Sequence, residues 1–446
     1  MTRRLPLLLL ALAVWPLAAC DSLYDMGDVW LGENKKPLAG KRVSVMVHER
    51  VLNPDPSITA RDIRIPAPED NDAWPQAGGY PSHAMHHMVL NDGLKRAWRS
   101  DIGAGSSDTR RLMAQPVVAD GLVFVMDAEA RVSAFEEKSG KRLWRVNLTP
   151  KDEDDDHMGG GVAYDNGRLF VTTGFARVYA LEAASGKTLW TQTLAAPMRA
   201  APTVFAGRVL VVTVENQTLA LDANDGRTLW THQGIAEAAS VLGGANPAVS
   251  AGTVVTPYSS GELVAIRIEN GAVLWSDSLA AGRRTDAVSA LSDIRGRPIV
   301  DRGRVFAISN SNQTVAIDLR TGRRLWEAEI GGLQSPWVAG DYLYLITNDI
   351  EMVCLEAKTG RVHWVTPLQR WENMEKKKGT VLWAGPVLAS DRLVAVGTHG
   401  WAVAISPYNG EVLGFEKMPD GLSIAPAIAN GGLYFVTEAG ELVAYR

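Results

Sequence analysis

A glycine and a tryptophan that recur at fixed spacing constrain this chain more than any other feature. Seven turn glycines are each preceded, six positions earlier, by a small residue. Six of the seven are followed, four positions later, by a tryptophan, and the seventh is followed by Gly414. Repetition at a fixed period indicates a fold built from copies of one supersecondary unit. The glycines are Gly140, Gly186, Gly226, Gly271, Gly322, Gly360 and Gly410, and the small residues are Ala134, Ala180, Ala220, Ala265, Ala316, Cys354 and Ala404.

Short runs of β-branched and aromatic residues lie between these markers. Examples are Val123 to Val125 and Val132 to Phe135, which are separated by turn residues and show no helical period. This pattern therefore predicts that each unit contains three strands followed by a fourth strand that carries the tryptophan. The glycine suits a positive φ in the turn before that fourth strand, and the tryptophan covers apolar surface on the next unit.

Units of about 40 to 50 residues with four strands are typical of propeller blades, which pack around a common axis. Ala444 marks an eighth third strand, but the chain ends at Arg446 without a fourth. Leu94 to Trp98 supplies a fourth strand that no unit precedes. We therefore predict an all-β fold, an eight-bladed β-propeller whose last blade combines an N-terminal strand with C-terminal strands. The predicted docking tryptophans are Trp98, Trp144, Trp190, Trp230, Trp275, Trp326 and Trp364.

The N-terminus carries an apolar run from Leu5 to Ala19 after Arg3 and Arg4, too short to span a bilayer. It ends in Leu-Ala-Ala-Cys, which resembles the lipobox of bacterial lipoproteins, although a plain signal peptide that contains a cysteine is the alternative. We expect a signal peptide at 1–19, acyl chains such as palmitate on Cys20, a tether at 20–73 and the propeller at 74–446. The tether is rich in proline and charge, with one possible strand at 42–47.

Charge and cysteine content narrow the classes of function. The formal net charge is −5, which argues against nucleic acid as a partner. The two cysteines, Cys20 and Cys354, do not form a disulfide framework if the first is lipidated, so a large core must hold the fold. Because Cys354 occupies the alanine position of its repeat, it is expected to be a buried small residue.

Three other groups of side chains contain residue types that occur in binding sites. The acidic loop at 152–157 lacks the alternating spacing of a calcium loop, so a solvated loop is favoured. His83, His86 and His87 have no adjacent cysteine or carboxylate to complete a metal site. The lysines at 376–378 beside Trp371 suit lipid headgroups or acidic partners, or are simply solvated. No catalytic triad or phosphate-binding loop is present in the sequence, so we expect no metal, no cofactor and no enzyme.

Segments such as Ala180 to Trp190 resemble the tryptophan-docking repeats of the pyrroloquinoline-quinone-type propeller superfamily. That superfamily contains quinoprotein dehydrogenases and non-catalytic scaffolds, so the resemblance implies the fold but does not decide the function. Dehydrogenases of this type use a pair of adjacent cysteines and hold calcium under the quinone, and this chain has no such pair. A quinoprotein-like dehydrogenase or its relic is the alternative function.

A lipobox followed by one eight-bladed propeller is similar to the BamB family of lipoproteins, which serve the β-barrel assembly (BAM) machinery. This resemblance implies a monomeric, non-catalytic scaffold anchored by its lipid at the periplasmic face of the outer membrane. Its implied partners are the insertase BamA, through its POTRA domains, and the other BAM lipoproteins. Asp21 leaves retention in the inner membrane open, and a scaffold for another periplasmic assembly is a third alternative.

The same resemblance places the partner contacts in two loops. They are the loop before the fourth repeat, around 237–244, and the loop that enters the fifth repeat, around 291–298. Asp293 matches an acidic contact of the family, whereas Arg295 stands where a second acid is usual and Leu242 where an arginine is usual. The implied contact residues are Ser240, Val241, Leu242, Leu291, Ser292, Asp293, Ile294 and Arg295.

Long connections from the fourth strand of one unit to the first strand of the next, as at 149–161, 276–297 and 365–379, are expected on one face of the ring.

Overall fold

Every repeat unit forms one four-stranded antiparallel sheet, and eight sheets form the eight-bladed β-propeller that the sequence predicts. The computed structural model describes residues 52–91, 93–153, 158–237, 242–280 and 292–446. Among these residues, no helix is long and apolar enough to cross a membrane.

The strands follow in chain order, with β1 (Arg96–Asp101) belonging to the last blade. Blades 1 to 3 contain β2 (Val117–Ala119), β3 (Leu122–Met126), β4 (Arg131–Glu136), β5 (Arg142–Asn147); β6 (Gly160–Asp165), β7 (Arg168–Thr173), β8 (Arg177–Glu182), β9 (Thr188–Thr193); β10 (Thr203–Phe205), β11 (Arg208–Val212), β12 (Gln217–Asp222), β13 (Thr228–Gln233). Blades 4 to 6 contain β14 (Ala248–Ser250), β15 (Thr253–Pro257), β16 (Glu262–Arg267), β17 (Val273–Ser278); β18 (Ile299–Asp301), β19 (Arg304–Ser309), β20 (Gln313–Asp318), β21 (Arg324–Ala328); β22 (Trp337–Ala339), β23 (Tyr342–Ile346), β24 (Glu351–Glu356), β25 (Val362–Pro367). The hairpin β26 (Trp371–Asn373) and β27 (Lys378–Thr380) precedes blade 7, which contains β28 (Trp383–Ala389), β29 (Arg392–Gly397), β30 (Trp401–Ile405) and β31 (Val412–Lys417). Blade 8 contains β32 (Ala427–Ala429), β33 (Gly432–Val436), β34 (Glu441–Tyr445) and β1.

The ring closes where the sequence places the closure. Strand β1 pairs antiparallel with β34, so Trp98 lies opposite Ala444. A buried carboxylate seals the junction with blade 1, because Glu137 accepts hydrogen bonds from the Tyr434 hydroxyl at 2.6 Å and from Arg446 at 2.7 Å. Pairing the two chain ends in one sheet removes the free edge that an open ring would expose.

The seven predicted docking tryptophans make one repeated contact. Each indole N–H donates to a backbone carbonyl of the next blade, three residues before the turn glycine of that blade, over 2.7 to 3.2 Å. The indole ring also covers that glycine, so that a methyl group on Gly226 would lie 2.6 Å from Trp190 Cε3. The acceptors are the carbonyls of Glu137, Ala183, Ala223, Ile268, Leu319, Ala357 and Pro407.

This contact explains the one repeat that lacks a tryptophan. Gly414 lies on the fourth strand of blade 7, next to blade 8. The third and fourth strands of blade 8 come from opposite ends of the chain, so no turn joins them there. A tryptophan at position 414 would have no turn carbonyl to bind, and a methyl group at Gly414 would meet nothing within 4 Å.

Cys354 is a buried small residue, as its repeat position predicts. It lies opposite Trp364 between β24 and β25 and is fully buried. Burial raises the pKa of its thiol well above the usual value. A thiol held neutral inside a sheet is a poor nucleophile or metal ligand.

Residues 71–91 run around the inside of the ring and bind the innermost part of every blade. Trp74 pairs with Val118 of blade 1, and the Gln76 carboxamide accepts from the Val204 amide of blade 3. The other blades are bound through Tyr164, Val249, Val300, Trp337, Ser390 and Gly431. Because one segment touches eight blades in ring order, it ties together sheets that are distant in sequence.

Residues 52–73, which the sequence analysis assigns to the tether, pack against the blades of the propeller. The compact unit that contains the propeller begins at Leu52 rather than at Trp74. Ile58 and Ile63 are buried, the Asp55 amide donates to the Val362 carbonyl, and Glu69 pairs with Met88. Residues 52–73 are therefore packed chain in the structure, whereas the rest of the expected tether lies outside the described residues.

Candidate partner-binding face and central cavity

One face of the ring carries the long connections. In an up-and-down blade, the turn between the second and third strands lies at the same end as the connection to the next blade. The connections that follow β5, β17 and β25 therefore begin and end on one face, as predicted, and so does the connection that follows β13. The turns at 258–261 and 347–350 lie on the same face. We call this the loop face.

The connection into blade 4 exposes an apolar side chain to solvent. Ile235 is 59% exposed. Its backbone is fixed on both sides, because its N–H donates to Glu262 Oε2 at 2.6 Å and its carbonyl accepts from Asn216 Nδ2 at 2.6 Å. An exposed isoleucine on a fixed backbone loses little conformational entropy on binding, which suits the centre of an interface.

Buried residues and their backbone hydrogen bonds anchor the connection into blade 5. Ser292, Asp293 and Ile294 are buried. The Ile294 amide donates to the Tyr258 carbonyl, and the Asp293 carbonyl accepts from the Asn310 amide. These three residues hold the loop against blades 4 and 5 and do not present side chains to a partner.

The two connections meet at Gly243 and Arg295. A side chain at Gly243, whose φ is +120°, would collide with the Arg295 guanidinium. A cavity of about 50 Å³ lies beside them, lined also by Arg199 and Asn216. Burial lowers the pKa of Arg295, and the neighbouring Asp293 carboxylate opposes that change. The predicted loops are therefore in contact, and Leu242 projects from their junction with 37% of its surface exposed.

Within the two loops to which the resemblance assigns partner contacts, sequence reasoning did not separate buried from exposed positions. Leu242 and the partly exposed Arg295 are available at the surface, whereas residues 292–294 are not. Ser240, Val241, Leu291 and Cys20 lie outside the described residues. Ile235 was not among the predicted contact residues, and its signal in the sequence is a large apolar residue beside Gly234 in the connection into blade 4.

A hairpin, β26 and β27, extends the loop face at the connection into blade 7. It carries the lysines at 376–378, and Met374 and Leu382 are about as exposed as Ile235. Trp371 is only partly exposed and lines the central cavity. The hairpin combines apolar side chains with three lysines and two glutamates, Glu372 and Glu375, a mixed composition that is also found at interface rims.

The centre of the ring encloses a cavity of about 1040 Å³ that is lined by the loop-face connections. Trp74, Gly78 and His83, from the segment that circles inside the ring, contribute to its wall. Five arginines line it, against two acids, Asp420 and Glu438. The arginines are Arg111, Arg199, Arg295, Arg297 and Arg370.

A hydrogen-bonded network fixes one of these arginines. His83 Nδ1 donates to the Pro298 carbonyl at 2.7 Å, so Nε2 must accept, and it does so from Asn246 Nδ2 at 3.1 Å. Asn246 Oδ1 then accepts from Arg297 Nε at 2.8 Å. Burial lowers the pKa of His83 to about 3, which keeps the ring neutral, and burial also lowers the pKa of Arg297 to about 10.

The three candidate metal-binding histidines have separate surroundings. His83 belongs to the network above, His86 Nε2 lies 3.3 Å from Asp301, and His87 Nδ1 donates to the Pro66 carbonyl. Within the described part of the chain, no three His, Cys, Asp or Glu side chains are grouped as a metal ion would require. Of the acidic loop, Asp152 and Glu153 are described and 154–157 are not.

Comparison with known proteins places these features in a family. Residues 90–151 and 128–366 match the sequence model of the family described as outer membrane protein assembly factor BamB. The protein of that name from Moranella endobia is 25% identical over 207 residues, 46% of this chain and 51% of that protein. The one from Escherichia coli K12 is 27% identical over 206 residues, 46% of this chain and 50% of that protein. The chain thus spans about half the length of the relatives it matches.

Two solved structures show how widely the fold is shared. BamB from Moraxella catarrhalis superposes with a TM-score of 0.65 at 20% identity, covering 79% of this chain and 99% of that one. Quinohemoprotein alcohol dehydrogenase from Comamonas testosteroni superposes with a TM-score of 0.65 at 15% identity, covering 84% and 80%. At these identities the similarity concerns the fold alone.

Proposed function

Because the chain belongs to the family of the outer membrane protein assembly factor BamB, we propose that it is a non-catalytic scaffold in outer-membrane protein assembly. The loop face binds the barrel insertase, a BamA-like protein, at the junction of the connections into blades 4 and 5. The mechanism is binding alone, since a rigid ring holds loops in a fixed geometry and no bond is made or broken.

The exposed apolar side chains of the connection into blade 4, with the Ile235 backbone fixed on both sides, are the observation that carries this proposal. Ile235 and Leu242 lie on one connection, and the buried residues 292–294 brace the connection beside it. Interface cores favour apolar side chains that are already ordered before binding. Arg295 adds a cation at the junction, so an acidic partner surface is the matching one.

The N-terminal part of the proposal concerns the membrane. A signal peptide at 1–19 is removed, and acyl chains on Cys20 anchor the protein at the periplasmic face of the outer membrane. Two or more acyl chains hold a protein stably at a bilayer, whereas one does so only marginally. The other BAM lipoproteins are further partners, and inner-membrane retention because of Asp21 remains the alternative location.

A quinone-dependent dehydrogenase is the competing function, because dehydrogenases share the fold. A calcium-bound quinone needs several carboxylate or amide oxygens around the metal. The cavity contributes five arginines and only two acids, and its described residues contain no metal-binding group of acids, histidines and cysteines. The residues do not fit that cofactor, and we derive no chemical step through it.

The proposal is tested by recovering partners from the native bacterium. A C-terminally tagged full-length chain is purified in mild detergent, and the proteins that accompany it are identified by mass spectrometry. Ile235→Asp and Leu242→Asp are compared with Leu189→Asp, which places the same change at an exposed leucine on the outer strand β9. We expect the barrel insertase with the unchanged chain and with Leu189→Asp, and its loss with both loop-face variants.

Two results would contradict the proposal. Equal recovery of the insertase with all three variants would remove the loop face as the interface. Recovery of a cytochrome or quinone-linked chain, without the insertase, would favour the dehydrogenase. Point substitutions are preferable to deleting 291–297, because that deletion removes buried residues that brace blades 4 and 5.

A further inference from the structure

The central cavity differs in charge from the protein that surrounds it. The whole chain has 45 basic and 50 acidic residues. The cavity wall has five arginines and only two acids. A concave site lined by one sign of charge concentrates ligands of the opposite sign.

Arg297 is a partly buried cation of the cavity wall for which no carboxylate partner is described. Its described hydrogen bonds all go to neutral groups, namely Asn246 Oδ1 at 2.8 Å and Ser335 Oγ at 3.4 Å, and Ser335 Oγ also accepts from its backbone amide. The neighbouring charge that lowers its pKa is another cation, Arg295. By contrast, Arg370 lies 3.8 Å from the Asp349 carboxylate. A partly buried guanidinium whose hydrogen-bond partners are all neutral lacks a counter-charge, and a bound anion would supply one.

Hydrogen bonds within the folded protein fix the orientation of the Arg297 guanidinium before any ligand binds. Asn246 fixes Nε, and Asn246 is itself held by His83 and by Thr203 Oγ1 at 2.9 Å. Gly78 lies against the Arg297 side chain, where a methyl group would be 3.1 Å from Cδ. The network therefore sets the orientation of the guanidinium without using a carboxylate.

The arginines are distributed around the cavity and do not form one cluster. They lie on four connections, those into blade 1 (Arg111), blade 3 (Arg199), blade 5 (Arg295, Arg297) and blade 7 (Arg370). Apolar residues such as Leu112, Leu333 and Trp337 line the wall between them. One small anion reaches one such point, whereas a chain with several carboxylates reaches several. The volume also lies at the upper end of the range for small-molecule sites, about 300–1,000 Å³.

We propose that the central cavity binds an extended polypeptide segment whose carboxylate side chains alternate with apolar ones, with Arg297 as the central anion contact. The segment enters from the loop face, and arginine–carboxylate pairs with apolar contacts between them provide the recognition. This inference does not depend on the proposed assembly function, because any partner or client with such a segment satisfies it. Nucleic acid is disfavoured by the net negative charge of the body.

The test uses the purified chain and a fluorescein-labelled dodecapeptide in which glutamate and leucine are separated by glycine and serine. Fluorescence anisotropy measures its binding, and the same peptide with glutamine in place of glutamate is the matched probe. We expect the glutamate peptide to bind at least about tenfold more tightly, and its affinity to fall with added salt.

Variants locate the site. Arg297→Gln is expected to weaken binding about tenfold or more, and Arg111→Gln severalfold. Arg111 is exposed, so its change leaves the core intact if Arg297→Gln disturbs folding. Arg392→Gln, at the exposed start of β29 on the opposite face, is the control and should bind like the unchanged chain. Thermal unfolding of each variant verifies that it is folded.

Several results would overturn the proposal. Equal binding of both peptides, or unchanged binding in the folded Arg111→Gln and Arg297→Gln variants, would show that carboxylates are not recognised in the cavity. Displacement of the peptide by free glutarate at similar concentration would assign the site to a small carboxylate. Tighter binding of a single-stranded oligothymidylate would assign it to nucleic acid.

Discussion

The contact between each docking tryptophan and the turn glycine of the next blade yields a prediction with an internal control. Gly226 and Gly207 both lie in turns of blade 3, with φ of +76° and +73°. A methyl group at Gly226 would lie 2.6 Å from Trp190 Cε3, whereas at Gly207 it would meet nothing within 4 Å. An alanine at either position incurs the same backbone strain, and only one of them displaces an indole.

The expected magnitudes follow from these two terms. A left-handed φ costs a residue with a Cβ about 1–2 kcal/mol. Overpacking against a neighbour adds about 1–3 kcal/mol, part of it through the indole bond to the Ala223 carbonyl. Gly207→Ala should therefore lower the free energy of unfolding by about 1 kcal/mol and Gly226→Ala by about 3 kcal/mol.

Guanidinium unfolding followed by far-UV circular dichroism measures both variants. In a Trp190→Ala background, the cost of Gly226→Ala should fall to that of Gly207→Ala, so the double-mutant cycle isolates the contact. If Gly226→Ala and Gly207→Ala lower the free energy of unfolding equally in the unchanged background, within about 0.5 kcal/mol, then contact with the tryptophan is not the reason that glycine is required at position 226. The same reasoning applies to the six other docking contacts.

Three further perturbations test other parts of the fold. Glu137→Gln removes the charge that faces Arg446 across the ring closure and should lower the melting temperature by several degrees, with the exposed Glu136→Gln as the control; equal melting temperatures would contradict a stabilising ion pair there. Burial holds the pKa of His83 at about 3, below its usual 6.5, so the unfolded chain binds more protons between those values and stability falls as pH falls through that range. Relative to His83→Gln, the unchanged chain should lose about 1.4 kcal/mol of its free energy of unfolding for each pH unit below 6.5, as measured by chemical unfolding. The same dependence of this free energy on pH in both proteins would refute the prediction. Gly414→Ala should raise stability by about 0.5–1 kcal/mol, because it removes backbone freedom without a clash, and a loss in the same unfolding measurement would contradict the empty space beside it.

Most of the fold could be predicted from the sequence because its markers are local. The glycine, the small residue and the tryptophan lie within about ten positions of one another, and each follows from a turn or a strand that those residues form themselves. Counting these units also predicted the closure by β1, since an unpaired tryptophan strand at one end matches a missing strand at the other. Gly414, which broke the pattern, lies at the one junction where the next blade has no turn to bind.

The candidate sites depended on contacts between residues that are far apart in the chain. Asp293 and Leu242 looked alike as loop residues, yet the packing of blades 4 and 5 buries the first and exposes the second. Arg111 and Arg297 belong to unrelated connections and share a wall only because the ring brings those connections together. Residues 52–73 looked like part of a tether because nothing in their composition shows the blades on which they lie.

The sequence by itself determined the repeated unit, the number of blades and the closure of the ring, because turn and strand preferences operate over a few neighbouring residues. Only the tertiary structure decided which loop residues are exposed, which arginines surround the cavity and how residues 71–91 bind all eight blades. Burial and the charge of a cavity arise from surfaces that meet after the chain has folded, and no periodicity along the chain encodes which surfaces those are.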